Sequence, residues 1–169
     1  MISKAFAHGY QVCVHAIGDK GNREVLDSFA ASYKQYPDAK ALRNRIEHAQ
    51  VVSLEDIPRF ATLDLIASMQ PTHATSDMNM AEDRVGAERI KGAYAWQRLL
   101  EQGTRVAAGS DFPVESANPF YGLHAAVTRQ DHQNRPAGGW HKDQALSVVE
   151  AFRAFTLDAA YAGHQEASV

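Results

Sequence analysis

The chain has 169 residues, 45% of them hydrophobic and 22% charged, the composition of one soluble globular domain, which excludes disordered, collagen-like and coiled-coil chains. A formal net charge of −3 with scattered lysines and arginines leaves no basic footprint, so no nucleic-acid partner is expected. The single cysteine, Cys13 in the run Val12-Cys13-Val14, excludes an internal disulfide and is expected as a buried, inert thiol. No apolar stretch approaches the ~20 residues of a membrane span and the N-terminus lacks a signal-peptide core, so a soluble, cytoplasmic chain without a membrane partner is expected.

Four short apolar segments alternate with helical patterns. Residues 10–15 predict the first strand, and Val25, Leu26, Phe29 and Tyr33 predict an amphipathic helix over 24–36, ended by Pro37-Asp38. Residues 45–49 form the second strand, followed by a helix to about residue 62 with Ser53 as N-cap. The third strand, 63–69, ends at Gln70-Pro71-Thr72-His73, and a polar loop is expected over 74–87. A helix over 88–102 closes on Gly103, and residues 105–109 form the fourth strand. A helix over 119–128, a polar loop over 129–141 and a last helix over 147–161 follow, the last opened by the capping-box spacing of Ser147 and Glu150. Trp96 and Trp140 read as a helix-packing and a loop aromatic. Strand and helix in alternation imply a parallel sheet with right-handed crossovers.

In such folds ligands collect at the carboxyl ends of the strands. Those ends are His15, His48, Gln70 with His73, and Asp111. Imidazole nitrogens and a carboxylate oxygen on one rim suit a divalent ion with a position open for water. The competing reading is that strand-end polar residues hydrogen-bond loop backbone. No rival chemistry stands out: Gly109-Ser110-Asp111 lacks nucleophile-elbow spacing, and Gly18-Asp19-Lys20-Gly21 lacks Walker or dinucleotide spacing. Eight histidines in 169 residues add weight to the metal reading.

His15-Ala16-Ile17-Gly18-Asp19, Arg45-Ile46-Glu47-His48-Ala49-Gln50, Ser68-Met69-Gln70-Pro71-Thr72-His73 and Gly109-Ser110-Asp111-Phe112-Pro113-Val114 resemble, in order and spacing, the second half of the amidohydrolase-3 family. That family lies within the metal-dependent amidohydrolase superfamily and includes N-substituted formamide deformylase. Arg84-Val85-Gly86, Ala93-Tyr94-Ala95-Trp96 and Ala125-Ala126-Val127-Thr128-Arg129 extend the resemblance over nearly the whole chain.

The resemblance implies an α/β fold, part of a TIM (β/α)8 barrel carrying strands five to eight, with residues 1–169 as one partial hydrolase domain. It implies His15 and His48 as metal ligands and Asp111 as ligand and catalytic acid/base, which takes a proton from the attacking water and passes it to the leaving amine. His73 is assigned to substrate contact or oxyanion polarisation, with Asp77, Arg84 and Arg89 as further substrate-rim residues. Asp19 is expected to cap its helix. The implied cofactor is zinc, with iron, manganese or cobalt also compatible, and the substrate is a small amide, formamide or cyclic amide cleaved at its C–N bond. No counterpart of the family's strand-one His-x-His pair or strand-four lysine or acid is present, and complete members continue past Glu166 into a small β-sandwich. Half a barrel leaves sheet edges open, so a missing N-terminal half or a homo-oligomer is expected as partner. The alternative is a catalytically inert fragment that only binds metal or a partner chain.

Overall fold

A computed structural model describes residues 1–168. Helix α1 (Ile2–Phe6) leads into β1 (Cys13–Ala16), α2 (Asp19–Gln35), β2 (Arg45–His48) and α3 (Ile57–Thr62). Then come β3 (Ile66–Met69), α4 (Pro71–Asp77), α5 (Ala81–Arg89), α6 (Trp96–Glu101) and β4 (Val106–Ala108). Helices α7 (Pro119–Thr128), α8 (Val148–Phe155) and α9 (Leu157–Ala162) complete the described chain. The strands form one parallel sheet in the order β1-β2-β3-β4. Sequential parallel strands with intervening helices are the repeat of a barrel, and this is a partial one. Among the described residues no helix is long and apolar enough to cross a membrane.

Register decides which side chains go where, because a strand alternates its faces. Val14, Ile46, Ala67 and Val106 lie in one row across the four strands. They pack with Leu26, Phe29, Phe60, Trp96 and Leu99 from the helices into the main core. Burying a side chain of this size contributes about 1.5–3 kcal/mol. The opposite face carries Cys13, Arg45 and Ile66 in one row and His15, Glu47, Ser68 and Ala107 in the next. Near β4, helix α9 covers part of it, with Tyr161 and Ala162 on Ile66 and Ala107. Near β1 it is open. Cys13 is therefore exposed rather than buried; the apolar run around it hid the alternation.

Several local expectations are corrected. Helix α2 begins at Asp19, with Gly18 in the N-cap position, and Asp19 Oδ1 accepts from the neighbouring Lys20 amide (2.9 Å) rather than from a capping position. Ser53 opens a turn, its carbonyl accepting from the Asp56 amide at 2.8 Å, and α3 starts at Ile57. The segment expected as a polar loop is helical, because Pro71 pre-sets the first turn of α4 and α5 lies exposed, with no apolar stripe to betray it. The single helix expected over 88–102 is broken. After a short 3-10 turn at Ile90–Gly92, residues 92–94 pair antiparallel with 50–52, with Val52 N to Gly92 O at 2.9 Å and Tyr94 N to Gln50 O at 2.7 Å. Gly92 permits this approach: a Cβ there would fall 1.8 Å from Val52 O. Helix α6 then ends as expected at Gly103 (φ 84), whose amide bonds Leu100 O while Thr104 bonds Leu99 O. The last helix splits at Thr156 (φ −123, ψ −87), and its capping box of Ser147 and Glu150 is complete.

Candidate functional site

Strands β2, β3 and β4 end side by side, and each is followed by a residue able to ligate. His48 is the last residue of β2, His73 lies in the first turn of α4 just beyond β3, and Asp111 follows β4 by three positions. One ligand atom from each of the three lies within 4.8 Å of the others. His48 (φ 76), Ala49 (φ 45) and Asp111 (φ 56) occupy the left-handed backbone region, a conformation costing of order 1–3 kcal/mol per non-glycine residue and concentrated at functional sites. It is held by the strand ends: the Ala49 amide bonds Ala16 O (3.0 Å), Val51 bonds Ile17 O (2.9 Å), and Val114 bonds Asp111 O (2.8 Å).

The site's hydrogen bonds set which nitrogen is free. Gln70 is buried, its amide nitrogen 3.5 Å from Ser68 O and its Oε1 2.9 Å from His48 Nδ1. His48 Nδ1 thus donates, and its Nε2 retains a lone pair. The rings of His48 and His73 lie 6.0 Å apart and nearly parallel, at 20°. His73 is 8% exposed, and its Nε2 is buried without a hydrogen-bond partner among the described residues, an arrangement native structures avoid unless a ligand meets the atom. Burial pushes the His73 imidazole below histidine's ordinary value, against the opposite pull of the Glu115 and Asp111 carboxylates. The ring is neutral at pH 7 and can donate its lone pair. Glu115 accepts from Ser76 Oγ at 2.6 Å, which ties the loop carrying Asp111 to α4.

These donors fit a divalent ion. Three atoms no more than 4.8 Å apart surround a point at most about 2.8 Å from each, so a contraction of no more than roughly 0.7 Å per donor reaches the ~2.1 Å of zinc–nitrogen and zinc–oxygen bonds. His15 stands beside the group: its exposed ring meets His48 edge-on, with centres 4.4 Å apart at 72°.

Asp77 lies one helical turn beyond His73, held from behind. Its Oδ2 accepts from Tyr94 Oη (2.5 Å) and from Gln50 Nε2 (3.0 Å), and Gln50 and Tyr94 bond each other. Both donors are buried and are brought together by the antiparallel pairing of 50–52 with 92–94. Burial, reinforced by Asp77, pushes the Tyr94 phenol far above its ordinary value, so it remains a donor. Behind Tyr94 sits Arg129, fully buried, donating to Tyr94 O (3.1 Å) and Trp140 O (2.9 Å). Its guanidinium lies 4.3 Å from the Trp96 ring centre and 5.1 Å from that of Trp140, and burial pushes its pKa down to about 10. Arg84 and Arg89 are exposed on α5 and are not brought into this group; Arg89 bonds Val85 O (2.9 Å) and borders a separate pocket with Asp19, Val52 and Glu88.

Gln50, Tyr94 and Arg129 were not singled out from the sequence, and Gln70 was named there as a strand end without a role. Each lies within or beside a segment that resembles the family, and that is the only signal that marked them. Nothing in spacing announces that residues 44 positions apart hold one carboxylate.

Comparison with known proteins is consistent with this geometry. YtcJ of Bacillus subtilis (strain 168) is 33% identical over 168 residues, 99% of this chain and 31% of YtcJ. An uncharacterized metal-dependent hydrolase from Pyrococcus furiosus superposes with a TM-score of 0.79 at 32% identity, over 98% of this chain and 31% of its own. Atrazine chlorohydrolase TrzN from Arthrobacter aurescens TC1, solved with zinc, shares the fold with a TM-score of 0.58 at 19% identity, over 96% of this chain and 33% of its own. The chain thus spans about a third of the length of these relatives. The sequence profile of the Amidohydrolase family matches residues 1–168, and with these strand ends and this sheet order the chain belongs to the amidohydrolase family.

Proposed function

We propose that this chain carries the metal-binding rim of a hydrolase that cleaves C–N bonds in small amides, formamides or cyclic amides. The observation that carries the reading is the convergence of His48, His73 and Asp111 on one point at the carboxyl ends of three consecutive strands. Zinc is the first candidate ion, in keeping with two nitrogens and one oxygen as donors and with the zinc in TrzN. A divalent ion there supplies an acidified water and polarises the scissile carbonyl.

The remaining work falls to side chains of this chain. His48 and Asp111 would hold the ion together with one of the two imidazoles flanking His48. Gln70 fixes the His48 tautomer through Nδ1. The free oxygen of Asp111 takes the proton of the attacking water and returns it to the leaving nitrogen, a transfer that balances without an external base. Asp77, gripped on Oδ2 by Tyr94 and Gln50, would accept a substrate N–H on its other oxygen, a role its fixed carboxylate supports. The other strands are supplied by an N-terminal half or by a second copy.

The test is amine release from N-substituted formamides and from linear and cyclic amides, with metal-free and zinc-loaded protein. Asp111→Asn is expected to lower the zinc-dependent rate by about 10²–10⁴-fold. Metal-free protein as active as loaded protein overturns the proposal. A second reading, an inert scaffold that binds metal without turnover, is favoured by the open face around Cys13 and His15; it predicts zinc uptake with no amine released.

A further inference from the structure

We infer that Asp77 and Glu115 together receive an ammonium or amidinium group carried by the substrate beside its scissile amide, so that the site selects cationic amides and turns away carboxylate-bearing ones. This rests on the metal reading above and narrows it to one class of amide. The placement of the two acids comes from helix α4. Ser76 and Asp77 follow His73 by three and four positions, so the three share one face of the helix. Ser76 Oγ donates to Glu115 Oε1 at 2.6 Å, which brings the second carboxylate to that face. Each acid is held by one oxygen and offers the other: Asp77 Oδ2 takes the Gln50 (3.0 Å) and Tyr94 (2.5 Å) donors, and Glu115 Oε1 takes Ser76.

What these acids lack is a positive partner. Among the described residues, no lysine or arginine forms an ion pair with Asp77, Asp111 or Glu115. The fully buried acids elsewhere each take two arginines, Asp56 from Arg23 and Arg59, and Asp158 from Arg105 and Arg153. Arg129 does not make up the difference, because it donates to the Tyr94 and Trp140 carbonyls. A divalent ion offsets two of the three carboxylate charges and leaves the rim negative, so a substrate anion meets repulsion there and a cation meets attraction.

That a ligand belongs on this face is indicated independently by His73, 8% exposed, whose Nε2 has no partner among the described residues. A second metal ion is the poorer occupant for the acids. Among the described residues the one group of three possible metal donors is His48, His73 and Asp111, and two further carboxylate oxygens suit N–H donors better than a second ion's coordination shell.

The test is calorimetric binding to the zinc-loaded 169-residue chain of three N-alkylformamides matched in length, whose chains end in an ammonium, a methyl or a carboxylate group. The ammonium-ended compound is expected to bind about 10–100-fold tighter than the methyl-ended one, the worth of one hydrogen bond to a charged group, and the carboxylate-ended one weakest. Asp77→Asn and Glu115→Gln are each expected to reduce the ammonium-over-methyl ratio by about tenfold. Ser76→Ala, at an exposed helical position that tolerates alanine, releases Glu115 and is expected to lower the ratio in the same direction. Circular dichroism on each variant separates lost recognition from lost folding, and only variants with the wild-type spectrum are compared. With one zinc bound per chain, equal affinities, tightest binding of the carboxylate-ended compound or binding of none of the three overturns the inference and leaves the metal reading intact. A second zinc per chain that is lost in Glu115→Gln gives the acids to another ion and overturns it too. No zinc uptake by the wild type overturns both.

Discussion

Gly92→Ala is expected to be among the most damaging single-methyl additions in the chain. The added Cβ would stand 1.8 Å from Val52 O and 3.0 Å from its carbonyl carbon, both backbone atoms that no rotamer change can move aside. An ordinary carbon–oxygen contact needs about 3.3 Å, so the two segments must separate by about 1.5 Å. The hydrogen bonds Val52 N to Gly92 O (2.9 Å) and Tyr94 N to Gln50 O (2.7 Å) are then both broken. The two amides left unpaired cost about 1–3 kcal/mol each, which gives roughly 2–6 kcal/mol in all, the carbonyls with their two lone pairs being re-satisfied more readily. At about 2–4 °C per kcal/mol for a domain of this size, a central 4 kcal/mol lowers Tm by about 8–16 °C. Gly122→Ala is the control. Its Cβ would meet the Phe155 ring, 2.3 Å from Cζ, but a side chain can swing away, and a cost nearer the ~1 kcal/mol end of overpacking is expected. Thermal melts followed by far-ultraviolet circular dichroism compare the two. If Gly92→Ala melts within about 3 °C of the wild type, equivalent to about 1 kcal/mol, or if Gly122→Ala costs more, the argument from rigid backbone contact is wrong.

Two further outcomes follow from the site and a third from the cap of α8. Gln70→Leu removes the acceptor of the His48 Nδ1 proton at 2.9 Å, and zinc affinity by chelator competition is expected to fall about 10–100-fold; unchanged affinity means the ring is oriented by packing alone. Tyr94→Phe leaves Asp77 with Gln50 as its remaining donor, and urea unfolding is expected to show a loss of about 1.5–3 kcal/mol, the range for a hydrogen bond to a charged group. An unaltered urea midpoint would mean that the bracket contributes nothing to stability. Backbone and side-chain hydrogen bonds from Ser147 hold the Glu150 carboxyl below its ordinary 4.5. Its contribution is therefore complete above pH 4.5 and is lost as pH falls through the lower folded value. The stability gap between wild type and Glu150→Gln should narrow from pH 6 to pH 3, and a gap independent of pH refutes the capping argument.

What could be read from the sequence divides along a physical line. The β-strands, the helix over 119–128 and the cap at Ser147 were legible because periodicity, Pro119 behind Asn118 and the Ser147–Glu150 spacing act within a few residues. Alternation predicted a parallel sheet, and the sequential strand order came from the resemblance to barrel strands five to eight. The strand-end residues His15, His48, His73 and Asp111 could be named because strand ends in such a sheet converge whatever the loops do. Their relative distances could not, since these depend on the left-handed turn at His48 and on where α4 begins. Helix α5 escaped notice because it is exposed and buries only Ala81. The break at 92–94 escaped because Ile90, Tyr94 and Leu99 keep helical spacing while the backbone bonds of Gly92 and Tyr94 go to a segment about forty residues away. Cys13 was misplaced for a related reason: an apolar run does not say which of its alternate residues faces the helices.

Arg129 has a consequence for how this protein can be watched. The sequence contains two tryptophans, and both indoles lie against the same guanidinium, Trp96 from α6 and Trp140 from the loop that returns to α8. Intrinsic indole emission from the chain is thus a signal from one place, on the helical side of the sheet and immediately behind the residue that grips Asp77. An emission change during denaturation reports when that stack opens, while far-ultraviolet ellipticity reports the helices and strands at large. Coincident curves would mean that the stack and the sheet melt as one cooperative unit, and an earlier emission change would mark the 129–141 loop as a separate, weaker one.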